Sequence, residues 1–470
     1  MRIEHDALGM MSIEDNNYYG IQTKRAIDNF SVSGRTIGEC ASFIRAVVHI
    51  KKAAAFANHS LGDINGTRCD AIRLAADEIL SGGFAEQFPI DIFHGGGGTA
   101  ANMNINEVLA NRATELITGS KGYDPVHPNT HVNMGQSTND VIPAAMKMAV
   151  RSELAVLKTA IEHALAAIRS KENAFSKIVT IGRTCLQDAL PITVGQFLSG
   201  GRGGLERHLE KIEAMREELL ELPLPGTAIG TCFGASPGFS EVLYQQLAEI
   251  TGSAYRQEKN LFDGLQNADI WISVSALLKS IAALFNKISS DLRLLSSGPR
   301  AGLNELILPA VQPGSSIMPG KINPVMPEMM MQIGFKVFGN DYAVSLAADR
   351  GELELNIWEM VILQCIMESC VLLANGIRLF SDRCLSGLAA NEQRCAEYAS
   401  SSLALSTVIA IRDGYPFASE IAKEAAEQQC NIRDAVVGRK YMTPEEAARL
   451  FDPLAMTDNV AFEKIIARKK

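Results

Sequence analysis

The sequence predicts a mainly α-helical protein built around long helices, and two features of its pattern indicate this. From Pro143 to about residue 175, apolar residues recur at steps of three and four, the spacing of one helix face. Pro143 suits a first helical turn, where its missing N–H would have no partner. A helix of ~30 residues reaches ~45 Å, too long for a compact single-domain bundle. Similar patterns cover residues 192–222, 266–296, 324–346 and 354–382.

The chain is predicted to divide into three parts, because 470 residues exceed one compact core. Residues 1–138 mix shorter helices with glycine- and asparagine-rich loops, residues 139–390 hold the long helices as a central bundle, and residues 391–470 form a small helical domain. Several long helices are rich in alanine and leucine on more than one face. Copies of the same chain would cover those faces most simply, so we predict a homo-oligomer with a shared helix bundle.

The first polar stretch of interest is HGGGGTAANMN, residues 94–104. Its glycines let backbone N–H groups converge and let a small carboxylate approach closely, and Thr99 adds a hydroxyl. A flexible connection is the alternative interpretation. No GxxxxGK[ST] pattern follows, so a nucleotide phosphate loop is not indicated.

A second polar stretch, GQSTNDVIP at residues 135–143, stands at the start of the first long helix. Ser137, Thr138, Asn139 and Asp140 are all good helix caps, and only one cap is needed. The spare hydroxyl groups at a helix N-terminus favour an anion site, with capping alone as the alternative.

A third stretch, IGRTCLQDALP at residues 181–191, precedes another long helix, which we predict to begin at its proline. Arg183 is expected to pair with Asp188. Thr184 and Cys185 are candidate site residues, although an isolated cysteine is more often buried filler than a nucleophile.

The fourth stretch, GSSIMPGKINP at residues 314–324, contains serines, Lys321 and Asn323 but no His, Asp, Glu or Cys to act as a base. Its composition alone fits a surface loop between helices. Three of the four stretches lead into long helices, which would allow them to meet at one end of a bundle, within or between subunits.

Composition and charge narrow the function classes. The net charge is −9 without a dense run of lysine and arginine, which argues against nucleic-acid and acidic-membrane partners. The two most apolar windows contain Lys279 and Glu368 and fall short of an uncharged stretch of ~18 residues, so we predict no membrane span. The nine cysteines form no CxxC and the N-terminus shows no apolar signal core, which favours a cytoplasmic location.

Metal binding is not predicted. Among the eight histidines, His127 and His131 come nearest to ligand spacing, but Pro128 between them argues against a helical pair. We expect no cofactor, with activation by magnesium left open.

The fourth stretch and its continuation, GSSIMPGKINPVMPE, closely resemble the signature loop of the fumarase/aspartase superfamily, GSSxMPxKxNP. The resemblance implies three mostly helical domains, a homotetramer whose central helices form one bundle, and active sites that each combine loops from three subunits. It extends over nearly the whole chain, through QSTND, GRTCLQDALP, GTAANMNINE, SSGPRAGLNE and KVFGNDYAV.

The resemblance also implies a reaction. Family members remove a proton beside a carboxylate and expel an amine or hydroxyl from the next carbon, leaving fumarate. By position, Ser315 is then the general base, acting as an alkoxide that loop N–H groups and Lys321 stabilise in a closed, water-free site, with residues 314–324 as the lid. The resemblance implies that Lys321, Asn323 and Thr184 hold the carboxylate that gains charge, taken as the family's α-carboxylate end. It implies further that Thr99, Ser137, Thr138 and Ser316 hold the other carboxylate, and that Asn139 and Thr99 approach the leaving amine.

Whether the expected leaving group is ammonia or water depends on finer resemblances to aspartases and to fumarases. Three stretches look more aspartase-like than fumarase-like: FPIDIFHGGGGTAANMN, IEHDALG and NLFDGLQNADIW. By contrast, VHPN resembles a second anion site of fumarases, which His127 and Asn129 would form here. Thr130 occupies the position that is usually acidic in that site. Cys185 stands where fumarases and many aspartases have a histidine paired with a glutamate matching Glu328, and where some aspartases have glutamine. The resemblance implies that fumarases need this pair for the leaving water, so its absence weighs against hydration.

We therefore predict an ammonia-lyase that converts L-aspartate to fumarate. A class II fumarate hydratase, or a related lyase acting on a modified aspartate, is the alternative. A non-catalytic scaffold like a lens crystallin is the third possibility, and intact Ser315, Lys321 and Asn323 argue against it.

Overall fold

Two short strands and a short helix open the chain, and longer helices follow. The protein is described by a computed structural model that covers residues 1–466. Two strands, β1 (Arg2–Asp6) and β2 (Gly9–Ile13), pair antiparallel before the first helix. The helices of this N-terminal part are α1 (Ile21–Asn29), α2 (Ala41–Ser60), α3 (Gly66–Leu80) and α4 (Thr99–Thr118).

Long helices dominate the middle of the chain, as predicted. Between them lie two-stranded sheets: β3 (Val179–Thr184) pairs antiparallel with β4 (Gln187–Thr193), and β5 (Glu221–Leu222) pairs parallel with β6 (Arg256–Gln257). The helices are α5 (Thr138–Ala174), α6 (Val194–Glu218), α7 (Phe239–Thr251), α8 (Leu261–Gln266), α9 (Asp269–Leu295), α10 (Val325–Ala348) and α11 (Glu359–Phe380).

Shorter helices fill the C-terminal part, and β7 (Leu306–Ile307) pairs antiparallel with β8 (Ala389–Ala390) just before them. Their apolar faces, including Ile421, Ile432 and Val436, form one buried cluster. The mainly α-helical prediction is confirmed. These helices are α12 (Glu392–Ser401), α13 (Ser406–Asp413), α14 (Tyr415–Glu427), α15 (Ile432–Gly438), α16 (Pro444–Leu450) and α17 (Asn459–Ile465).

Contacts between backbones group the chain into two compact units rather than three consecutive segments. Unit 1 comprises residues 1–159, 210–280 and 335–374. Unit 2 comprises residues 160–209 and 281–334 together with the chain from residue 375 onward. The division crosses the long helices α5, α6, α9, α10 and α11. The three-part division by sequence stays a prediction, since compactness measures a different property.

Two local predictions at helix starts were wrong. Helix α5 begins at Thr138, so Pro143 lies inside it rather than in its first turn. At that depth an N–H would have bonded the carbonyl of Asn139, which therefore lacks its usual helical partner. Pro191 does not start a helix: it lies in strand β4, and α6 begins after the hairpin, at Val194.

One face of α10 remains apolar and exposed. Phe335, Phe338, Tyr342 and Leu346 recur at helical spacing and are between 40% and 68% exposed. Large apolar side chains aligned in this way are typical of an interface with another protein surface. We call these residues the α10 stripe.

Two helical stretches, Asp269–Leu295 and Glu359–Leu385, are long and apolar enough to cross a membrane, with mean hydropathies of 1.3 and 1.8. Length and composition are weak support, because a core helix of a soluble protein passes the same test. Each stretch carries an ion-paired charge in unit 1: the side chains of Lys279 and Glu368 each lie 2.6 Å from a partner on α10.

Candidate active site

The glycine-rich stretch forms a tight turn at the start of α4. Gly96, Gly97 and Gly98 all have positive φ angles, which side chains rarely adopt, and Gly96 has open space where a side chain would stand. The hydroxyl of Thr99 donates to the carbonyl of Gly96 at 2.8 Å. The proton of this hydroxyl is therefore engaged, and its oxygen is left as an acceptor.

The start of α5 lies against the start of α4. A side chain on Gly98 would come within 2.8 Å of Ile142, so glycine permits this close packing. The amide nitrogen of Asn102 donates to the hydroxyl oxygen of Thr138 at 3.1 Å. The structure thus brings Thr99 and Thr138 to two neighbouring helix N-termini, where backbone N–H groups without helical partners favour an anion.

Asn139 is oriented by the loop that follows β5. Its amide nitrogen donates to the backbone carbonyl of Ala228 at 2.8 Å, which leaves its side-chain oxygen as an acceptor. Ser137 serves as the cap of this turn: its hydroxyl oxygen accepts the N–H of Asn139 at 3.3 Å.

Asp140, weighed only as a cap from the sequence, holds the loop and the helix start together. It is fully buried and accepts the N–H groups of Ser137 at 2.9 Å and Thr227 at 2.8 Å. Burial raises the pKa of Asp140 to about 7, and the two N–H groups oppose that shift. The positive φ of Thr227 marks the sharp bend that the loop makes at this contact.

A buried polar network supports Thr138, and it was not predicted. The ammonium of Lys51 donates to the side-chain oxygen of Asn133 at 2.8 Å. The amide nitrogens of Asn102 and Asn106 donate to the same oxygen, each at 3.1 Å. Asn133 donates its own amide nitrogen to the carbonyl of Gln136, which settles which end of its amide is oxygen. Lys51 is thus connected to Thr138 through Asn133 and Asn102.

Lys51 is fully buried on α2. Burial lowers the pKa of its ammonium to about 7, and the negative charge of Asp140 acts in the opposite direction. A lysine inside an apolar pattern carries no sequence signal for this role. Its hydrogen-bond partner is 82 positions away in the chain, so only folding pairs the two.

In unit 2, Ser315 sits in a loop whose backbone donates to its side chain. Its hydroxyl oxygen accepts the N–H of Ile317 at 3.2 Å and the N–H of Met318 at 3.0 Å. Backbone donors aimed at an oxygen stabilise negative charge on it.

The loop is closed on itself. The N–H of Gly314 donates to the carbonyl of Lys321 at 2.7 Å, and the amide of Asn323 donates to the carbonyl of Gly314 at 2.9 Å. A side chain at Gly314 would lie 2.7 Å from the backbone nitrogen of Asn323, so glycine is required here. Ser316 and Lys321 are exposed, as is Ile317 at 84%. The loop therefore presents both polar and apolar side chains to solvent, and its role as a lid stays a prediction.

Thr184 and Cys185 lie at the tip of the β3–β4 hairpin, and both are exposed. The two-residue turn is Cys185–Leu186, with φ angles of 53° and 60°. Turns with two left-handed residues favour Asn-Gly, so Cys-Leu is a strained choice. Such strain concentrates at functional sites, and it presents the Cys185 thiol to solvent.

Arg183 has a different partner from the one predicted. Arg183 faces Asp188 across the hairpin register, but its guanidinium pairs with Glu305 at 2.7 Å. The predicted Arg183–Asp188 pair is therefore wrong, because a buried carboxylate outcompetes an exposed one for the same cation. Glu328, in the first turn of α10, lies 3.9 Å from Arg293.

The stretch HPNTH, residues 127–131, was predicted not to be helical because it contains Pro128, and it folds differently. Pro128–Val132 is a helical turn, with Pro128 tolerated at its first position. His127 caps this turn through Nδ1, which accepts the N–H groups of Asn129 and Thr130 at 3.2 and 3.3 Å. The ring of His131 in turn accepts the N–H of His127 at 2.9 Å. Within residues 1–466, no group of three His, Cys, Asp or Glu side chains is arranged to hold a metal ion.

A buried acid faces the glycine turn. Glu359 in α11 is 4% exposed, and among residues 1–466 its Oε2 has no hydrogen-bond partner. This oxygen would lie 3.8 Å from a side chain built at Gly97. Burial raises the pKa of Glu359 well above its ordinary value.

The predicted residues fall into two groups. Thr99, Ser137, Thr138 and Asn139 come together in unit 1, whereas the Ser315 loop, the hairpin tip and Glu328 belong to unit 2. Over residues 9–339 the chain matches the family model described as lyase, and over residues 404–458 the model of the fumarase C C-terminus. The chain belongs to the fumarase/aspartase superfamily of lyases.

Known members of the superfamily match along nearly their whole length. The aspartate ammonia-lyase of Helicobacter pylori is 42% identical over 99% of this chain and 99% of its own. The class II fumarate hydratase of Halobacterium salinarum is 43% identical over 97% of each chain. A crystal structure of a fumarate lyase:delta crystallin from Brucella melitensis bound to cobalt superposes with a TM-score of 0.95 at 41% identity, over 97% of this chain and 99% of that one.

An aspartate ammonia-lyase and a class II fumarate hydratase thus match this chain about equally well. Overall likeness establishes the lyase fold and the enzyme class, and it leaves ammonia and water as rival leaving groups. The local geometry around Thr99 and Asn139 is therefore the better guide to the substrate.

Proposed function

We propose that the enzyme eliminates ammonia from L-aspartate to give fumarate. The observation that carries the proposal is the hydrogen bonding of Thr99 and Asn139. Each donates its side-chain proton to a backbone carbonyl, of Gly96 and Ala228, so each turns an oxygen acceptor to the site. An ammonium group has three N–H donors and no acceptor, and a set of acceptors fits it better than a hydroxyl.

Ser315 is the proposed base. Its oxyanion takes the proton from C3 of L-aspartate, and the electron pair of that C–H bond moves onto the neighbouring β-carboxylate. The aci-carboxylate formed in this way then collapses: a C2–C3 double bond forms, and the C2–N bond breaks with its electron pair going to nitrogen. The N–H groups of Ile317 and Met318 support the proposal, because donors already aimed at the serine oxygen stabilise its anionic form.

The atom balance changes one assignment implied by the resemblance. The proton leaves the carbon beside the β-carboxylate, so that carboxylate gains the charge, whereas Lys321, Asn323 and Thr184 were placed at the α-carboxylate end. We therefore propose that Ser137, Thr138 and Ser316 hold the aci-carboxylate, that Thr99 contacts only the amine through its acceptor oxygen, and that Lys321, Asn323 and Thr184 hold the α-carboxylate. The start of the 37-residue helix α5 suits the more highly charged group, since a helix N-terminus favours anions.

A class II fumarate hydratase, or a lyase acting on a modified aspartate, is the second candidate. Fumarate hydratase relatives of similar identity favour it. Cys185 weighs against hydration, because a thiol at this hairpin tip replaces the imidazole that the resemblance assigns to the leaving water. The intact Ser315 loop weighs against a scaffold without activity.

The substrate assay decides between these candidates. We expect L-aspartate to yield fumarate, followed by its ultraviolet absorbance, at a rate at least ~100-fold above that with L-malate, since the acceptors around Asn139 are arranged for an ammonium group. N-substituted aspartates test the amine pocket. Ser315→Ala protein purified in parallel controls for lyases of the expression host. Turnover of L-malate alone would overthrow the ammonia-lyase proposal.

Lys51 is proposed as a positioning residue for Thr138. Lys51→Met keeps the buried volume but removes the donor to Asn133, so we expect KM for L-aspartate to rise about tenfold, with a smaller change in kcat. Lys52→Met is the matched control, because Lys52 pairs with Asp77 and lies outside the network. A KM that responds equally to both substitutions, or to neither, would contradict this role.

We propose that the active enzyme is a homotetramer in which three subunits contribute to each site. The α10 stripe supports an assembly, because large exposed apolar side chains are costly in water. The division of the candidate residues between units 1 and 2 is compatible with loops that meet across subunits. The proposed substrate is a small dicarboxylate, without nucleic-acid or membrane partners, and the proposed location is cytoplasmic. No cofactor enters the proposal, and magnesium activation and a second anion site at His127 and Asn129 stay predictions.

A further inference from the structure

A second polar cleft lies in unit 1, on the middle of α5. Its volume is about 420 Å³, within the range of small-molecule sites. Helices α2 and α5 line it with residues at helical spacing, and the end of α7 and the segment after it close it. The residues that matter here are Arg45 and His49 on α2, Arg151 on α5, Arg216 on α6, and Ser253 and Tyr255. We call this the arginine cleft.

The cleft is strongly positive in a protein of net charge −9. Three arginines line it, and no aspartate or glutamate among the described residues does. Within residues 1–466, Arg45 and Arg151 form no ion pair, whereas Arg216 pairs with Glu213 at 2.9 Å. Arginines that face a cleft without a carboxylate partner leave a positive charge for an outside anion to neutralise.

The guanidinium groups are held in place by the fold. Nε of Arg151 donates to the carbonyl of Arg216 at 3.0 Å, and one terminal nitrogen donates to the hydroxyl of Ser253 at 3.0 Å. Its guanidinium carbon lies 5.7 Å from the ring centre of Tyr255, a distance at which the ring face attracts a cation. Arg45 donates to the carbonyl of Leu80. Both arginines are therefore oriented before any ligand arrives, which lowers the entropy cost of binding.

His49 lines the same cleft, and the positive charges around it affect its pKa. Burial, together with the positive charges of Arg45 and Lys52, lowers the pKa of His49 to about 4, against the opposing charge of Asp77. Its Nδ1 is buried and has no hydrogen-bond partner within the described part of the chain. A ring nitrogen left unpaired in a positive cleft is a polar group that a bound molecule would satisfy.

We propose that the arginine cleft binds a small doubly charged oxyanion, either a phosphate or a dicarboxylate, separately from the active site. Both ligand types match the planar fork of a guanidinium group, which bonds two oxygens of one anion at once. Ser253 and Tyr255 add hydroxyl groups to the lining of the cleft. The site lies outside the residues assigned to catalysis, so it does not depend on the proposed reaction.

Calorimetric titration at constant ionic strength tests the proposal, with inorganic phosphate and malonate as separate probes. We expect the wild-type chain to bind at least one of them and Arg45→Gln/Arg151→Gln to bind it at least tenfold more weakly. Arg433→Gln is the control, because it removes a positive charge at a residue of α15 that does not line the cleft. If the double variant loses binding of phosphate but not of malonate, the ligand type is phosphate. If it loses binding of malonate but not of phosphate, the ligand type is a dicarboxylate.

Two results would overturn the proposal: neither probe binds the wild-type chain, or the double variant keeps its affinity. If the double variant is misfolded by circular dichroism, Arg45→Gln alone replaces it, since this side chain is exposed and its loss should not disturb folding. That single variant is expected to weaken binding at least fivefold, and an unchanged affinity would be equally fatal.

Discussion

Ser315→Ala is expected to lower kcat for L-aspartate by about 10³-fold or more, because it removes the group proposed to take the proton from C3. The serine oxygen already accepts two backbone N–H groups, from Ile317 and Met318. An alanine leaves these donors in place without an anion to stabilise. KM should change little, since the groups proposed to bind the carboxylates are intact.

Two measurements separate loss of the base from general damage to the loop. Fumarate formation at saturating L-aspartate gives kcat, and exchange of the C3 proton with deuterated solvent reports the proton transfer itself. Ser316→Ala is the neighbouring control, because its hydroxyl is assigned to substrate binding and its loss should raise KM more than it lowers kcat. A Ser315→Ala enzyme that keeps a tenth of wild-type kcat would exclude the serine as base.

Charges placed on the α10 stripe are expected to dissociate the enzyme and abolish turnover. In Phe338→Glu/Tyr342→Glu, two carboxylates replace apolar side chains that are 40% and 68% exposed in the single chain. If a partner subunit covers these positions, burying each new carboxylate costs several kcal/mol. The remaining contacts along this one helix do not offset that cost. Activity should fall with the assembly, because each site is proposed to need loops from three subunits.

Light scattering after size-exclusion chromatography measures the assembly, and the aspartate assay is run on the same fractions. Tyr415→Glu is the matched control: this tyrosine is 79% exposed, lies in the C-terminal helices and is outside the stripe. A variant that stays tetrameric would remove the stripe from the interface. A dissociated variant with full activity would exclude sites shared between subunits.

The long helices were predictable to within a few residues at most ends. Their apolar residues repeat with the helical period over many turns, so each turn supplies independent support for the same assignment. The prediction of residues 266–296, for example, compares with α9 at Asp269–Leu295. The Ser315 loop was recognisable because its letters are distinctive, and its function followed from resemblance.

The hairpin at residues 179–193 was missed for a physical reason. Its turn is Cys185–Leu186 rather than the Asn-Gly or Gly-rich pair that marks a two-residue turn, so the letters carry no turn signal. The backbone strain is compensated elsewhere, by the ion pair between Arg183 and Glu305 and by the packing of the strands.

By itself the sequence determined the helical class, the superfamily and the names of the reactive residues, since periodicity and local motifs are properties of neighbouring letters. Only the tertiary structure decided which groups support these residues: Lys51 supports Thr138 through Asn133, and Asp140 accepts the N–H of Thr227. It also brought three arginines together around an unassigned cleft. These contacts join residues far apart in the chain. Hydrogen bonds and charge depend on distance in space, and only the folded chain sets that distance.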